Sequence, residues 1–320
     1  VSMSEPTPDS GFKAPVMARL YPVAPASGRM DERSALRSLA ATVPAAGDDA
    51  AVIDGLVVTT DMLHERSDFP PGTTRYTAGW RAVGASLSDL AAMGAEATCA
   101  VAVYAAPAFD PDELDAFVRG AVEVCDRVGG EYVGGDLDEH TEFTTATTAV
   151  GRVDDPVYRD GAEPGDAVCV TGELGRTAAG LRRFEAGDAE AGNELFRFTP
   201  RIAAGRALRG HASAMMDSSD GLARSLHQLA EASDCGFAVS WDRLPVHPAV
   251  EAVAESEADR REMAAHVGED FELVFTTPEP EAALTAVREA GTAGTVIGDV
   301  TADGVTADGE PLPDRGYTHG

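Results

Sequence analysis

The chain has 320 residues, about two domains' worth, and its 44% hydrophobic content is enough for a large core. Its 54 acidic residues outnumber 25 basic ones, and the formal net charge of −29 makes nucleic acid and anionic membranes unexpected partners. Lys13 is the only lysine. A folded acidic chain almost without lysine predicts a halophilic protein, since concentrated salt screens self-repulsion; the alternative is the acidic bias of a GC-rich genome.

The single lysine and the cysteines exclude several kinds of site. Lys13 stands in neither a Walker A loop nor a protein-kinase strand motif, and the sequence contains no G-x-G-x-x-G. Phosphate chemistry must therefore use arginine, backbone N–H groups and metal ions. No C-x-x-C or H-E-x-x-H occurs, so the cysteines are expected in the core, not in disulfides or zinc sites: Cys99, Cys125, Cys169 and Cys235.

The location is expected to be cytoplasmic. The longest uncharged candidate span, residues 97–109, is too short to cross a bilayer. No secretion signal opens the chain.

Residues 1–28 are predicted to be a loose arm, and residues 29–153 an N-terminal domain. Asp54-Gly55 is typical of a hairpin turn, and Asp110-Pro111 of a helix start. In chain order we predict a helix over 31–41, two strands within 51–61, a helix over 74–93 closed by a glycine at 94, a strand over 98–104, a helix over 110–128, a strand ending at 133–136 and a strand over 142–153.

Residues 154–320 are predicted to form a second domain after a boundary near 156–166. In chain order we predict a strand over 167–171, helices from 175 and from 199, a strand over 214–217, a helix over 219–232, a strand over 271–276, a helix over 279–290 and a closing strand over 295–299. Because helices and strands alternate, an α/β or α+β fold is expected for both halves.

Aspartates recur at strand ends and helix starts, beside Gly, Ser or Thr. They are Asp48, Asp49, Asp61, Asp89, Asp136, Asp217 and Asp220. Carboxylates among apolar residues are costly unless paired or metal-bound. Hard oxygen ligands without a histidine cluster favour Mg²⁺, which bridges scattered carboxylates to substrate phosphates. The pattern therefore predicts metal-dependent nucleotide chemistry.

Each aspartate also has a structural interpretation. Asp48 or Asp49 could cap a turn, and Asp61 could simply end a strand. Asp217 and Asp220 could be an N-cap pair for the following helix. Asp89 is harder to explain in this way, because its helix is otherwise apolar there.

Taken together, these segments resemble the thiamine-monophosphate kinase family of the aminoimidazole ribonucleotide synthetase-like ATP-binding superfamily. The resemblance runs from about residue 31 to the C-terminus, and its most specific segments are SDLAAMGA and GEDFEL. The matching residues are 47–50, 59–61, 88–95, 134–136, 170–172, 217–222 and 268–273.

The resemblance implies a two-domain fold whose N-terminal sheet pairs with that of a second subunit in a homodimer. It implies that ATP and thiamine phosphate give ADP and thiamine diphosphate by direct in-line transfer, with several Mg²⁺ ions. Because the acceptor phosphate is already an anion, no strong general base and hence no catalytic side chain is expected.

The resemblance also implies site residues. The metal ligands are Asp49, Thr59, Thr60, Asp61, Asp89, Asp136, Asp217 and Asp220. The ATP contacts are Gly135, Arg159 and Ser219, and the thiamine phosphate contacts are Asp68, Glu269 and Tyr317.

The sequence departs from the family pattern at three places. Asp68 stands where the family usually has a histidine, and Arg81 and Ser86 replace its usual lysine and asparagine. The usual C-terminal aromatic is missing, and Tyr317 is the candidate to replace it. Two alternatives stay open: a sister ATP-dependent ligase of the superfamily and, because of the departure at Asp68, a non-catalytic cation- or nucleotide-binding homologue.

Overall fold

The computed structural model describes residues 42–43 and 45–316. The arm predicted over residues 1–28, the helix predicted over 31–41 and Tyr317 lie outside the described residues.

The first half is a five-stranded sheet covered on one face by two long helices. The strand order is β1-β2-β5-β3-β4, with β3 and β4 parallel and the other neighbours antiparallel. The strands are β1 (Ala51–Ile53), β2 (Leu56–His64), β3 (Glu96–Ala106), β4 (Glu131–Glu139) and β5 (Thr144–Arg152), and the helices are α1 (Glu65–Asp68), α2 (Arg75–Ala92) and α3 (Pro111–Val128).

Local signals account for most of these elements. Asp54 and Gly55 both have positive φ, as the turn between two such strands requires. The Thr74 side chain caps α2 by accepting from Thr77 N, and Asp110 caps α3 in the same way. The predicted hairpin and both helices are therefore confirmed.

Helices α2 and α3 contact each other backbone to backbone. A Cβ at Gly79 would lie 2.1 Å from the carbonyl oxygen of Phe117, and one at Gly120 would lie 2.0 Å from that of Tyr76. Any larger residue would push the two helices apart. This contact helps to fix α2, which carries Asp89.

The second half is a seven-stranded sheet with the order β12-β11-β8-β10-β6-β9-β7. Its strands are β6 (Ala167–Thr171), β7 (Ala214–Asp217), β8 (Gly236–Val239), β9 (Leu273–Thr277), β10 (Gly294–Thr301), β11 (Val305–Ala307) and β12 (Glu310–Pro311). Its helices are α4 (Arg176–Glu185), α5 (Ala189–Phe196), α6 (Ile202–Leu208), α7 (Leu222–Ser233), α8 (Pro248–Glu251), α9 (Glu257–Ala265) and α10 (Pro280–Glu289), with a 3₁₀ turn at Trp241–Arg243.

Two element boundaries on the motif segments of this half differ from the prediction, and elsewhere the helix predicted from residue 199 begins at Ile202. The helix predicted from residue 219 begins at Leu222, because Gly221 has φ 102° and the residues before it form a loop. The strand predicted from residue 271 begins at Leu273, because Phe271 is left-handed with φ 54°. Both corrections fall on the segments that carry the family motifs.

The α/β (α+β) class is confirmed, and one helix links the two halves. A single hydrophobic cluster joins Leu87 and Leu90 of α2 to Ala149 of β5, Met215 of β7 and Phe275 of β9. Polar residues on α2 can therefore contact groups from both sheets. The domain limits, 29–153 and 154–320, stay predictions.

Among the described residues, no helix combines the length and apolar character needed to span a membrane. The cytoplasmic location stays a prediction.

Candidate active site

Three aspartates from distant parts of the sequence converge beside α2. Asp49, Asp89 and Asp217 can each supply a carboxylate oxygen such that these atoms all lie within 4.8 Å of one another. Asp49 precedes β1, Asp89 lies in the last turns of α2, and Asp217 ends β7. We call these three residues the carboxylate cluster.

Neighbouring hydroxyl groups hold the cluster in place. Thr59 Oγ1 donates to Asp89 Oδ2 at 2.5 Å, and Ser88 Oγ donates to Asp217 Oδ2 at 2.7 Å. Ser88 was not among the site residues predicted from the sequence, although a serine beside an aspartate in an apolar helix was an available signal.

The donor set of the cluster fits a hard divalent cation. The side chain of Asp217 is buried, yet among residues 42–43 and 45–316 its Oδ1 has no hydrogen-bond partner. A buried carboxylate oxygen without a partner, beside two further carboxylates, is costly unless a cation neutralises it. All the groups are oxygen donors, as Mg²⁺ prefers.

Desolvation and mutual repulsion weaken the acidity of these groups. They raise the pKa of Asp217 to about 7, with desolvation the larger cause and the charge of Asp49 the next. Desolvation, followed by the charges of Asp61, Asp217 and Asp49, raises the pKa of Asp89 well above its usual value. The pKa of Asp48 rises to about 6, through desolvation and its neighbour Asp49.

We expect the melting temperature of the metal-free protein to fall by several degrees as the pH rises from about 5 to about 8. Folded Asp217 keeps its proton up to a pKa of about 7, whereas the unfolded chain releases it near 3.8. Between these values the folded state binds more protons, so stability declines with pH. Divalent-cation affinity should rise over the same range, because the ligands must be deprotonated.

Thermal melting and calorimetric Mg²⁺ titration in concentrated KCl measure the two effects. Asp217→Asn should flatten the metal-free pH profile. A wild-type melting temperature that does not change between these pH values would contradict the prediction.

Asp61 lies next to the cluster on the face of β2 that packs on α2. Ser86 Oγ donates to Asp61 Oδ2 at 2.6 Å and lies 2.7 Å from Thr147 Oγ1. The charge of Asp61 also raises the pKa of both Asp89 and Asp217, which places it in their electrostatic neighbourhood. Ser86, where the family usually has asparagine, is therefore part of this polar layer.

Arg159 places a positive charge beside the carboxylate cluster. Its Nη2 donates to Asp49 Oδ1 at 2.7 Å and its Nε to Asp49 Oδ2 at 3.2 Å. Its backbone N–H donates to Asp48 Oδ2 at 3.0 Å, and its pKa is raised by the two aspartates against the opposing effect of desolvation. A cavity of about 530 Å³ opens beside it, lined in part by Gly47 and Tyr158.

The two loops that carry the C-terminal motifs are hydrogen-bonded to each other. Ser218 N donates to Glu272 O at 2.7 Å, Phe271 N to Ser218 O at 3.3 Å, and Glu269 N to Ser219 O at 2.6 Å. The loop that follows Asp217 is thereby fixed against the GEDFEL segment. Ser219 and Asp220 lie in that loop, and their proposed ATP and metal contacts stay predictions.

The three acidic residues of the GEDFEL segment each have different partners. Asp270 is buried and accepts from Gly175 N at 2.5 Å and Thr177 N at 2.9 Å, so it caps α4. Glu272 pairs with Arg201 at 2.5 Å. Glu269 pairs with Arg81 at 2.9 Å.

Within one chain, three of the predicted ligand residues do not reach the cluster. The side chain of Thr60 lies on the opposite face of β2 from Thr59 and Asp61, and its Oγ1 donates to Thr147 O at 2.8 Å. Gly135 and Asp136 lie on the edge strand β4, three strands from β2, or about 14 Å at the usual strand spacing. Asp136 is exposed and shares the outer face of the sheet with Val103.

Asp68 is also engaged locally. It is buried, and Oδ2 accepts from His64 N at 2.6 Å and from Ser67 Oγ at 3.0 Å. These bonds stabilise the turn of α1. The substrate contact inferred for Asp68 therefore has no support from the hydrogen bonds observed.

Both halves of the chain match known protein families. Residues 47–153 match the AIR synthase related protein, N-terminal domain, and residues 163–308 match the AIR synthase related protein, C-terminal domain. The thiamine-monophosphate kinase of Halobacterium salinarum is 60% identical over 292 residues, which cover 91% of this chain and 100% of that protein. The thiamine-monophosphate kinase of Escherichia coli K12 is 34% identical, and the match covers 85% of this chain and 90% of that protein.

A solved structure described as "AaThiL complexed with AMPPCP and TMP" has a TM-score of 0.83 at 27% identity, and the match covers 91% of this chain and 99% of that one. The Halobacterium relative fits the acidic, lysine-poor composition.

Proposed function

The chain belongs to the thiamine-monophosphate kinases of the AIR synthase related family, and from this premise we propose that it transfers the γ-phosphoryl group of ATP to thiamine phosphate, yielding ADP and thiamine diphosphate. The observation that carries the proposal is the convergence of Asp49, Asp89 and Asp217 from both halves of a chain that is 60% identical to a kinase of this name. The same relatives favour the kinase over the sister ligase and the non-catalytic homologue.

We propose that the carboxylate cluster holds Mg²⁺ ions, with Thr59, Asp61 and Asp220 as further members of the site. When bound, Mg²⁺ neutralises the charge of the two phosphate groups and orients the γ-phosphoryl group for in-line transfer. Arg159 binds a nucleotide phosphate through its guanidinium, and Ser219 contacts the nucleotide. The acceptor phosphate monoester is already anionic, so no side chain needs to remove a proton. The site has only to align the two phosphate groups and neutralise their charge.

The direct test is incubation of the protein with ATP, Mg²⁺ and thiamine phosphate in concentrated KCl, followed by chromatography for thiamine diphosphate. Formation of thiamine diphosphate with equimolar ADP is expected. Free thiamine is the matched control, because a thiamine pyrophosphokinase would consume it. Failure to consume thiamine phosphate while ATP is bound would favour the non-catalytic homologue.

We also propose that the outer face of the first sheet pairs with the same face of a second copy. This face exposes the apolar side chains of Met62, Val101 and Val103, and an exposed apolar sheet face is typical of an interaction surface. Asp136 lies on the same face and is too far from the cluster of its own chain. A second copy packed here would bring Gly135 and Asp136 toward the partner's site.

Val103→Asp is expected to convert the dimer to a monomer and to lower activity by roughly tenfold or more, because the partner no longer completes the site. Val122→Asp is the matched control, since Val122 is 37% exposed on α3 and Val103 is 38% exposed on the sheet. Analytical ultracentrifugation and the coupled ADP assay measure both effects. A wild-type monomer, or a fully active Val103→Asp monomer, would contradict this proposal.

A further inference from the structure

Arg81 of helix α2 is buried, with 1% of its surface exposed. Its Nη2 donates to Glu269 Oε2 at 2.9 Å and to Glu269 O at 3.2 Å, and its Nη1 donates to Phe196 O at 2.9 Å. The guanidinium also lies 4.3 Å from the ring centre of Phe196. Arg81 therefore hydrogen-bonds to both the carboxylate and the backbone carbonyl of Glu269, which lies 188 positions later in the chain.

Glu269 has an unusual backbone. Its φ is 58°, and Phe271, two residues later, has φ 54°. Non-glycine residues seldom adopt this region; they keep it only where surrounding contacts impose it, and such residues cluster at functional sites. Here Thr177 Oγ1 donates to Glu269 O at 2.7 Å, in addition to the bond from Arg81. The contacts that impose the conformation thus converge on the glutamate itself.

Helix α2 sets the spacing between Glu269 and the carboxylate cluster. Arg81 and Ser88 are seven residues apart, which places them on the same helix face about 10 Å apart along its axis. Ser88 holds Asp217 of the cluster, and Arg81 holds Glu269. A ligand that reaches both the carboxylate cluster and Glu269 needs a phosphate at the end near the cluster and N–H groups on a ring at the end near Glu269. Thiamine phosphate has this layout, since a thiazolium ring and two short linkers separate its phosphate from its aminopyrimidine.

We infer that Arg81 is a positioning residue that holds Glu269 for the aminopyrimidine end of thiamine phosphate, an inference that rests on the function proposed above. Arg81 engages Oε2 of Glu269, and Oε1 is the atom assigned to the amino group of the substrate. Because the phosphoryl transfer takes place at the carboxylate cluster two helix turns away, loss of Arg81 weakens binding of thiamine phosphate and leaves the transfer step and ATP binding intact.

The test compares steady-state kinetics of Arg81→Met, Arg81→Lys and the wild type. Arg81→Met is expected to raise KM for thiamine phosphate by about tenfold, with kcat and KM for ATP within about twofold of the wild type. Arg81→Lys, which restores the charge and the residue usual in the family, should recover part of this loss. Unchanged KM for thiamine phosphate in Arg81→Met, or a fall in kcat alone, would overturn the inference.

A double-mutant cycle with Glu269→Gln separates positioning from a merely structural role. If Arg81 acts through Glu269, the double variant should bind thiamine phosphate no more weakly than Glu269→Gln alone. Additive losses in KM would overturn the inference. If Arg81→Met does not fold, Thr177→Val removes the other side-chain bond to Glu269 O and should raise the same KM by a smaller factor; an unchanged KM there would count against the inference.

Failure of the proposed function itself would give a different result. A wild-type protein that does not phosphorylate thiamine phosphate refutes the kinase. A fully active wild type, together with Arg81 variants whose KM for thiamine phosphate is unchanged, refutes only the role of Arg81.

Discussion

Asp89→Asn lowers turnover by roughly 10³-fold or more while the protein keeps its fold; this is the largest effect on activity that we expect. Asp89 is the member of the cluster held by Thr59, and its pKa is raised by desolvation and then by the charges of Asp61, Asp217 and Asp49. An amide in its place keeps the shape but removes the negative charge. Turnover at saturating Mg²⁺, together with calorimetric Mg²⁺ binding, measures the loss.

The same substitution should leave the melting temperature of the metal-free protein unchanged or raise it. Without a bound cation the carboxylates of the cluster repel one another, and removing one of them relieves this repulsion. Replacing an active-site residue often stabilises a protein in this way. Asp126→Asn is the matched control, because Asp126 is an exposed aspartate near the end of α3 and should keep full activity. Wild-type turnover by Asp89→Asn would refute the metal role of the cluster.

Lowering KCl from about 2 M to about 0.1 M should lower the melting temperature by roughly 10 °C or more. The formal net charge is −29, so self-repulsion opposes the compact state and weakens only when salt screens it. The Debye length grows from about 3 Å at 1 M to about 10 Å at 0.1 M, so repulsion then extends between side chains that are not neighbours. Thermal melting followed by circular dichroism measures the change.

A non-ionic osmolyte at matched osmolality is the control for this salt effect. It stabilises folded proteins in general through exclusion from their surface but does not screen charge, so it should restore less of the stability lost at low KCl than KCl itself does. A melting temperature that is constant over this range would show that the composition reflects genome bias rather than adaptation to salt.

Local sequence signals predicted the elements whose ends are chemically marked. Helix α3 begins after the capping Asp110 and ends at Val128, before a left-handed glycine, within one residue of the prediction. Strands β6 and β7 match their predicted ranges, because each is a short run of apolar residues between turns. In these cases the information lies within a few residues of the boundary.

Other elements were not predicted, because long-range contacts decide them. Helix α9 was not among the predicted elements, because its sequence is rich in charged residues, and it ends in the buried Met263, Ala264 and Ala265. Strand β8 is only four residues long and is stabilised by pairing with β10 and β11. A short apolar run carries too little periodicity to show that such partners exist.

The sequence by itself determined the salt-adapted charge, the class of fold and a set of aspartates suited to Mg²⁺. The tertiary structure alone decided which of these aspartates meet. Asp49, Asp89 and Asp217 converge, whereas Asp136 lies on the outer face of the first sheet, on a strand three positions from β2. It alone also paired Arg81 with Glu269. The physical reason is that strand and helix periodicity sets the face on which a side chain lies, but only the packing of α2 between two sheets brings side chains distant in sequence within contact.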